Sequence, residues 1–255
     1  MNLKLHNAAV RYGISFLTRL PAWQASHQPT AEVAPLSVVY FPLVGLIIGA
    51  LLWGVTWLIY PGWVTSSTVV TLLIVALWIW ITGALHLDGL ADCADAWMSG
   101  KQGQEMYTIL KDVHSGVGAT VAVTLVIVGK VTLLTEIIQL NLIFLILISP
   151  LFARALMAVY LVNTEYFPAT GLGTTMTNKP YRISVSVIFG MVVLISTLFI
   201  DSNLIWIFIA SGVTTLALIH CSLTRRLGGT NGDVFGAVVE TAELCTLGFG
   251  LIFLV

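Results

Sequence analysis

The fold of this chain follows from residues 38–60, which read VVYFPLVGLIIGALLWGVTWLIY and contain no Asp, Glu, Lys or Arg. A helix of about 20 apolar residues is long enough to cross the hydrocarbon core of a bilayer. The whole chain of 255 residues is 58% hydrophobic and 9% charged, whereas a typical soluble domain has roughly 25% charged residues. Because so few charged side chains cannot cover a water-exposed surface, the composition predicts a polytopic membrane protein.

Six further apolar runs resemble the first in length. Together, the seven runs cover residues 38–60, 64–85, 116–134, 142–162, 183–200, 204–223 and 236–255. Backbone polar groups must be paired inside lipid, so each run is expected to form a helix. We predict an all-α polytopic membrane protein with about seven transmembrane helices. Gly45 and Gly49 in the first run offer a small-residue face for close helix packing.

The N-terminal segment has a different pattern. Residues 3–20 place four side chains near one helical face, namely those of Ala9, Tyr12, Phe16 and Leu20. This pattern predicts an amphipathic helix that lies on or against the membrane. We therefore expect one integral-membrane domain over residues 1–255, with the interfacial helix and a loop in 1–35 and the transmembrane bundle in 36–255.

Basic residues lie on one side of the predicted membrane. The breaks at 61–63, 135–141 and 201–203 contain no Lys or Arg, whereas the other side carries Lys4, Arg11, Arg19, Lys101, Lys111, Lys179, Arg182, Arg225 and Arg226. Cytoplasmic loops are enriched in Lys and Arg, so we expect the N-terminus and the long loops in the cytoplasm. The net charge of −1 argues against a nucleic-acid partner, because binding to a phosphate backbone needs a concentrated positive surface.

The second apolar run leads into an acidic motif, HLDGLADCADAW at residues 86–97. If the helix continues, Asp88, Asp92 and Asp95 share one face, with neighbouring turns about 5–6 Å apart. This spacing suits divalent ions held between shared carboxylates. Without a cation, the stacked like charges repel one another. The alternative is a solvated acidic turn at the membrane surface that binds no ligand.

A second acidic motif opens the last apolar run, GGTNGDVFGAVVETAE at residues 228–243. Asp233, Glu240 and Glu243 are spaced to share a helix face. Gly229 and Gly232 would let backbone amides approach a phosphate at the helix N-terminus. The alternative is a pair of proton-carrying acids, as in a transporter.

Both motifs fall at cytoplasmic ends of predicted helices, and Asp112 lies on the same side. Such a group of acids fits Mg²⁺-bridged diphosphate chemistry. Arg19 flanks this face, and Arg154 is either a phosphate clamp or an intramembrane partner for one of the glutamates. His86 either contacts phosphate or a carboxylate, or is a structural hydrogen-bonded histidine. Lys130 is expected to extend its amine toward the outer membrane surface.

The chain resembles the cobalamin synthase family, the adenosylcobinamide-GDP ribazoletransferases, in the order and spacing of its motifs. The matching segments are FLTRLP at 16–21, FPLVG at 41–45, HLDGLAD at 86–92 followed by Asp95, GLG at 171–173, and GGTNGD at 228–233 with Gly236, Glu240 and Glu243. The chain departs from the family pattern at His114 and Asn231, where the family often has Arg and Thr. These departures weaken any phosphate-binding role at those two positions.

The resemblance implies that the ribose hydroxyl of α-ribazole, or of its 5′-phosphate, attacks adenosylcobinamide-GDP and releases GMP. It also implies Mg²⁺ dependence and a location in the bacterial inner membrane, and leaves the oligomeric state open. By this resemblance, the expected Mg²⁺ ligands are Asp88, Asp92, Asp95, Asp233 and Glu240. Glu243 or an aspartate without a bound metal would accept the ribose proton, and the expected catalytic residues are Asp92 and Glu243. Residues expected to position substrate are Arg19, His86, Asp112, Arg154, Gly229 and Gly232.

Other functions stay open at this point. A CDP-alcohol phosphotransferase or a prenyltransferase would also use aspartate-bound Mg²⁺ on a diphosphate. The first needs Asp-x-x-Asp-Gly with a nearby Ala-Arg, and the second usually has Asp-Asp-x-x-Asp or Asn-x-x-x-Asp. Neither arrangement occurs around Asp88. A secondary transporter would instead move an ion past Glu240, Glu243 and Arg154, usually between repeated halves, and no internal repeat is evident.

Overall fold

A computed structural model of the chain describes residues 3–22, 30–60, 62–112, 114–168, 174, 176 and 179–255. The regular elements in these ranges are helices, apart from one isolated bridge between Tyr166 and Thr230. The predicted all-α fold is therefore confirmed. Gly171 and Gly173, which belong to the family pattern, lie outside the described residues.

The helices are α1 (Leu3–Leu17), α2 (Val33–Ser37), α3 (Phe41–Ile59), α4 (Ser67–Thr82), α5 (Leu85–Met98), α6 (Gly103–Leu110), α7 (Val117–Gln139), α8 (Phe144–Asn163), α9 (Arg182–Phe199), α10 (Leu204–Ile219) and α11 (Gly232–Leu254). A π-helical turn, His220–Thr224, and the short helix Arg225–Leu227 extend α10. Each predicted span coincides with one long helix: α3, α4, α7, α8, α9, α10 or α11.

By length and hydropathy, five helices of the described chain can cross a membrane alone, or up to six if the bent pair α4–α5 is one span. The five are Val33–Ile59, Val117–Gln139, Phe144–Asn163, Leu204–Leu227 and Gly232–Leu254. The apolar part of α9, Arg182–Leu198, is shorter. The count therefore approaches the seven expected, and the difference lies in α9 and in the break after α4.

This break contradicts the expectation that the second span continues into the acidic motif. Gly83 and Ala84 have φ angles of 62° and 58°, and a left-handed residue of this kind ends an α-helix. The amide of Gly83 bonds back to the carbonyls of the last helical turn. As a result, α5 leaves α4 at an angle of 88°. The three aspartates lie on a separate helix that crosses one end of the bundle.

The central element of the bundle is α8, of which 89% of the most apolar stretch is buried inside the protein. It packs against α3, α9 and α11. A side chain at Gly45 or Gly49 of α3 would overlap the carbonyl oxygen of Pro150 or Leu147 in α8. The predicted small-residue face is confirmed, because the two backbones touch where α3 has glycine.

The outer surfaces of the long helices are apolar. Large exposed side chains include Trp57, Leu72, Trp80, Leu125, Leu194 and Val213. Exposed apolar surface on this scale is unfavourable in water and is compatible with lipid. The described helices therefore present the surface of a multi-pass membrane protein.

Helix α1 packs on this bundle with Ala9 and Tyr12 buried, as its sequence pattern predicts. Phe16 is 38% exposed, yet its ring stacks between those of Tyr12 and Phe41, with centroid distances of 5.9 and 6.2 Å. Leu17 completes the buried face at 1% exposure. The helix is thus anchored against α3 and brings Phe16 and Leu17 toward the site described below.

Gly49→Ala is expected to lower the stability of the bundle, because the new Cβ overlaps the Leu147 carbonyl oxygen. Overpacking of this kind costs about 1–3 kcal/mol. Gly54→Ala in the same helix is the matched control, since a Cβ there meets nothing within 4 Å. Thermal unfolding in detergent compares the two variants. A Gly49→Ala protein that melts no lower than Gly54→Ala would contradict the close contact between α3 and α8.

Candidate functional site

The two acidic motifs meet because helices α5 and α11 cross in direct backbone contact. A Cβ at Gly89 would lie 2.8 Å from the carbonyl oxygen of Asp233 and 2.9 Å from its Cα. One turn later in α11, a Cβ at Gly236 would lie 2.9 Å from the carbonyl oxygen of His86. No larger residue fits at either point. The contact sets the start of α11 beside the acidic face of α5.

Asp233 is held by two donors at the start of α11. Asn231 caps the helix, since its Oδ1 accepts from the amide of Val234 at 3.0 Å and its Nδ2 donates to Asp233 Oδ2 at 3.1 Å. Lys111 Nζ donates to the same oxygen at 2.9 Å. Burial lowers the pKa of Lys111, but its hydrogen bond to Asp233 and the attraction of that charge outweigh burial and raise the pKa overall.

Lys111 is a site residue that the sequence analysis missed. It was counted among the cytoplasmic basic residues and given no contact. The only signal was its position next to Asp112, in a cytoplasmic segment between the two acidic motifs. Its partner lies 122 residues away, so no local pattern could identify the pair.

The pKa of Asp92 reflects both the burial of its side chain and the negative charges around it. Its pKa is raised from the ordinary value to about 6, first by partial burial and then by the charges of Asp233 and Asp88, with Lys111 opposing. The structure therefore brings Asp88, Asp92 and Asp233 close enough to repel one another. We call these three residues the aspartate group.

Magnesium binding stays a prediction. Within the described ranges, no three His, Cys, Asp or Glu side chains are already arranged as a metal site. The aspartate group nevertheless supplies the hard oxygen ligands that Mg²⁺ prefers. Its mutual repulsion is the condition that a bound cation relieves.

Asp95 has a structural partner that its spacing did not reveal. Its two carboxylate oxygens accept from the amides of Gly116 at 2.6 Å and Ala119 at 2.9 Å. These amides belong to the first turn of α7, so Asp95 caps that helix from α5. The contact ties α5 to α7 and directs both oxygens of Asp95 toward backbone donors.

Glu240 and Glu243 lie in a buried ion cluster that we define as Lys130, Arg154, Glu240 and Glu243. Lys130 Nζ lies 2.7 Å from Glu240 Oε2 and 2.5 Å from Glu243 Oε2. Arg154 Nη1 pairs with Glu243 Oε1. All four side chains are 5% exposed or less. Two cations therefore face two anions, which leaves the cluster formally neutral.

This cluster decides one open point, the role of Arg154, and corrects one expectation, the position of Lys130. Lys130 does not extend to the membrane surface, because two carboxylates and the face of the Trp78 ring, 4.5 Å away, hold it inside. Arg154 is the intramembrane partner of a glutamate, which was the alternative to a phosphate clamp. It is 0% exposed, with its guanidinium already engaged by Glu243.

The structure does not bring the glutamates to the aspartate group. Glu240 is seven residues from Asp233 along α11, about 10.5 Å at the helical rise of 1.5 Å per residue. Its Oε2 is engaged by Lys130. The shared face predicted for Asp233, Glu240 and Glu243 thus spans two environments, an accessible acidic end and a closed, neutral interior.

A cavity of about 310 Å³ opens beside the aspartate group. Asp88, Asp233 and Gly232 line one part of it, and apolar side chains from α1, α3, α8 and α11 line the remainder. His86 also lines the cavity, and its Nδ1 lies 3.4 Å from Arg154 Nη2. His86 thus stands between the cavity and the buried ion cluster.

The other predicted substrate residues lie near this end of the bundle but differ in how exposed they are to solvent. Arg19 is exposed; its backbone amide donates to the Ile81 carbonyl at 2.7 Å, and its side chain packs over Gly83. It therefore lies at the corner where α5 begins. Gly232 is exposed and lines the cavity, with open space around its Cα. Gly229 is packed into a turn, where a Cβ would lie 2.7 Å from that of Phe167.

Asp112 is exposed and adjacent to Lys111 in the chain. Its Oδ1 accepts from Nδ1 of His114 at 2.8 Å and from the His114 amide at 3.1 Å. The side-chain hydrogen bond is the main cause of its lowered pKa. Within the described ranges, no hydrogen bond or ion pair joins Asp112 to the aspartate group, so its substrate role stays a prediction.

Asp92→Asn is expected to stabilise the metal-free protein most near pH 8, less near pH 5, and hardly at all below the ordinary carboxyl pKa of 3.8. Because the pKa is raised to about 6, the folded state carries the full cost of the ionised, partly buried Asp92 beside Asp233 and Asp88 only above that pH. The destabilisation fades as the pH falls and the carboxyl binds a proton. Thermal unfolding in detergent with a chelator measures this, with Glu136→Gln, an exposed acid on α7, as the control. Equal effects at both pH values would contradict the crowding.

Lys130→Met is expected to be strongly destabilising, by about 3–5 kcal/mol, because it leaves a buried carboxylate without its cation. Adding Glu240→Gln restores the formal balance of the cluster, so the double variant should recover part of the loss. A cycle of the wild type, both single variants and the double variant, followed by unfolding in detergent, gives the coupling. Simple additivity of the two single effects would argue against the ion pair.

Comparisons with known proteins agree with the motifs. The family model described as CobS, cobalamin-5-phosphate synthase, matches residues 9–251. A relative from Stutzerimonas stutzeri (strain A1501), named adenosylcobinamide-GDP ribazoletransferase, is 35% identical over 92% of this chain and 94% of its own length. No solved structure matches the chain significantly.

Two further relatives carry the same name. The protein from Ectopseudomonas mendocina (strain ymp) is 35% identical over 94% of this chain and 96% of its own length. The protein from Acinetobacter baumannii (strain ACICU) is 32% identical over 90% of this chain and 91% of its own length. The predicted resemblance is confirmed: this chain belongs to the cobalamin-5-phosphate synthase family.

Proposed function

We propose that this chain is an adenosylcobinamide-GDP ribazoletransferase. A ribose hydroxyl oxygen of α-ribazole, or of its 5′-phosphate, attacks the phosphorus that links cobinamide to GMP. The new phosphodiester gives adenosylcobalamin or its 5′-phosphate, the bond to GMP breaks, and the hydroxyl proton passes to a base. Family membership supports this activity. The structural observation that carries it is the meeting of Asp88, Asp92 and Asp233 at the cavity, enforced by the glycine contact between α5 and α11.

The aspartate group is the proposed Mg²⁺ site. Its carboxylates are of the right chemical type, and the pKa of Asp92 is raised first by partial burial and then by the charges of Asp233 and Asp88, which a bound cation would offset. A bound Mg²⁺ would supply neutralisation of the diphosphate charge. Asp95 and Glu240, also expected as ligands, are better explained as a helix cap and as a member of the buried ion cluster.

Asp92 is the proposed acceptor of the ribose proton, with Asp88 and Asp233 then supplying the Mg²⁺ ligands of the aspartate group. A general base works best when its pKa lies near the operating pH, and the pKa of Asp92 is raised to about 6. Glu243, the other candidate, is 0% exposed and paired with both Lys130 and Arg154. A carboxylate in that position has no route to a substrate hydroxyl at the cavity.

Positive groups at the accessible end would hold the phosphates. Lys111 reaches Asp233 Oδ2, and Arg19 lies exposed at the start of α5. Gly232 opens the 23-residue helix α11, whose N-terminal amides attract anions. Arg154 is excluded from this role by its burial, so we assign phosphate contact to Lys111, Arg19 and the amide of Gly232.

We further propose that this end of the bundle faces the cytoplasm of a bacterium, with the chain in the inner membrane. The end of α4 and the start of α11 lie at the end where the aspartate group forms, together with Lys111 and Arg226. Basic residues favour the cytoplasmic side. A transporter function is disfavoured, because Glu240 and Glu243 are closed within a neutral cluster rather than lining the cavity.

Asp88→Asn and Asp92→Asn are expected to lower turnover by at least about 100-fold, the scale seen when charge stabilisation is lost from a transition state. The KM for adenosylcobinamide-GDP should change far less. The assay follows GMP release by protein purified in detergent, with Mg²⁺, adenosylcobinamide-GDP and α-ribazole.

Glu105→Gln is the matched control, because Glu105 is an exposed acid on the neighbouring helix α6, where it forms an ion pair with Lys101. It should keep wild-type turnover. If Asp92→Asn retained most of its turnover while remaining folded, the proposed role of the aspartate group would be wrong.

A further inference from the structure

The cavity beside the aspartate group has an aromatic and aliphatic interior. Rings of Phe16, Phe41 and Phe235 line it, together with Met157 and Leu161. Of the described residues around it, Asp88 and Asp233 are the charged ones, and both belong to the aspartate group. The interior is therefore suited to a flat, uncharged ligand whose polar end faces the acids.

The size of the cavity limits the choice of ligand. A volume of about 310 Å³ lies at the lower end of the range of ligand pockets, about 300–1,000 Å³. This space accommodates a nucleoside, and it is too small for a corrin ring with its side chains. Of the two proposed substrates, the ribazole nucleoside is the one that fits.

Polarity separates the two nucleoside bases, since the phosphates of either substrate would lie at the Mg²⁺ site outside the apolar interior. Guanine carries several hydrogen-bonding groups on its edges, and burying them against apolar walls without partners is costly. The dimethylbenzimidazole base of α-ribazole has one unsubstituted ring nitrogen, and its rings can stack on phenylalanine side chains.

One polar group in the wall needs a partner. His86 is 2% exposed, and among the described residues its Nε2 has no hydrogen-bond partner. Its Nδ1 faces Arg154 Nη2 at 3.4 Å. A guanidinium only donates hydrogen bonds, so Nδ1 must be the acceptor and the neutral ring carries its proton on Nε2. His86 thus presents a buried N–H donor that lacks an acceptor.

We propose that this cavity is the α-ribazole subsite and that His86 Nε2–H donates a hydrogen bond to the unsubstituted ring nitrogen of the base. This inference rests on the proposed function and names where its acceptor substrate binds. The base lies against Phe16, Phe41 and Phe235, and the ribose points toward Asp88 and Asp233. Arg154 acts as a positioning residue, because it holds the histidine in the donating tautomer.

The test compares α-ribazole with an analogue in which the ring nitrogen is replaced by CH, the α-riboside of 5,6-dimethylindole. Binding is measured calorimetrically on the purified protein, without adenosylcobinamide-GDP. The analogue should bind wild-type protein about tenfold more weakly, the effect of one buried hydrogen bond. His86→Leu should bind both ligands equally weakly, because the donor is gone.

Two conservative variants separate the donor from the contact with Arg154. The amide of His86→Gln reaches the position of Nε2 and should restore discrimination between the two ligands. The amide of His86→Asn reaches only the position of Nδ1 and should not. In ¹⁵N spectra of histidine-labelled protein, His86 should show the Nε2-protonated tautomer, and this signature should change in Arg154→Lys.

Equal binding of the two ligands by the wild type would overturn the subsite, as would unchanged discrimination in His86→Leu. Competition of GDP or GMP with α-ribazole would also overturn it, because the cavity would then accept guanosine. Failure of the proposed function is a separate result: wild-type protein would bind α-ribazole with the stated discrimination yet release no GMP.

Discussion

The site depends on the contact between the backbones of α5 and α11 at Gly89 and Gly236. Neither position has room for a Cβ, since one would press on Asp233 and the other on His86. Through this contact, side chains nearly 150 residues apart in the chain share one acidic surface. Asp95 braces the arrangement from the far side by capping α7. The glycines therefore set the distance between the carboxylates, and the carboxylates supply the charge.

The acidic side chains of α11 lie in two different environments. At the accessible end, the three carboxylates of the aspartate group face the amine of Lys111, so negative charge is in excess among these four residues. Two turns deeper, Glu240 and Glu243 meet one lysine and one arginine, and the charges balance. A buried group must be neutralised within the protein because no water is present to solvate it. An accessible carboxylate can remain charged, because water solvates it until a cation or substrate binds.

His86 links these two environments. Arg154 belongs to the balanced interior through Glu243, yet its second nitrogen reaches the histidine that lines the cavity. The ion cluster thus does more than hold α7, α8 and α11 together. Through Arg154 it contacts a histidine that lines the cavity, so the buried charges and the cavity wall are in direct contact.

Much of this arrangement could be predicted from local patterns. Hydropathy and residue spacing are properties of short segments of sequence. They predict the helical spans, the small-residue face of α3 and the two acidic motifs. The break between α4 and α5 was missed because Ala84 adopts a left-handed conformation, which its residue type disfavours and which only the packing imposes. The partners of Asp95, Lys111 and Lys130 lie in distant segments of the chain. No short stretch of sequence therefore contains both members of any of these contacts.

The sequence by itself determined the kind of protein: an all-helical membrane chain, with acids at the ends of two helices and motifs of a diphosphate-using family. The reason is that hydrophobic length and residue spacing are properties of continuous segments. Only the tertiary structure decided which acids act together. Helical spacing placed Asp233, Glu240 and Glu243 on one face, but the neighbours that cross that face separate them. The charge state and access of a carboxylate are set by what packs against it, and that is a property of the folded chain.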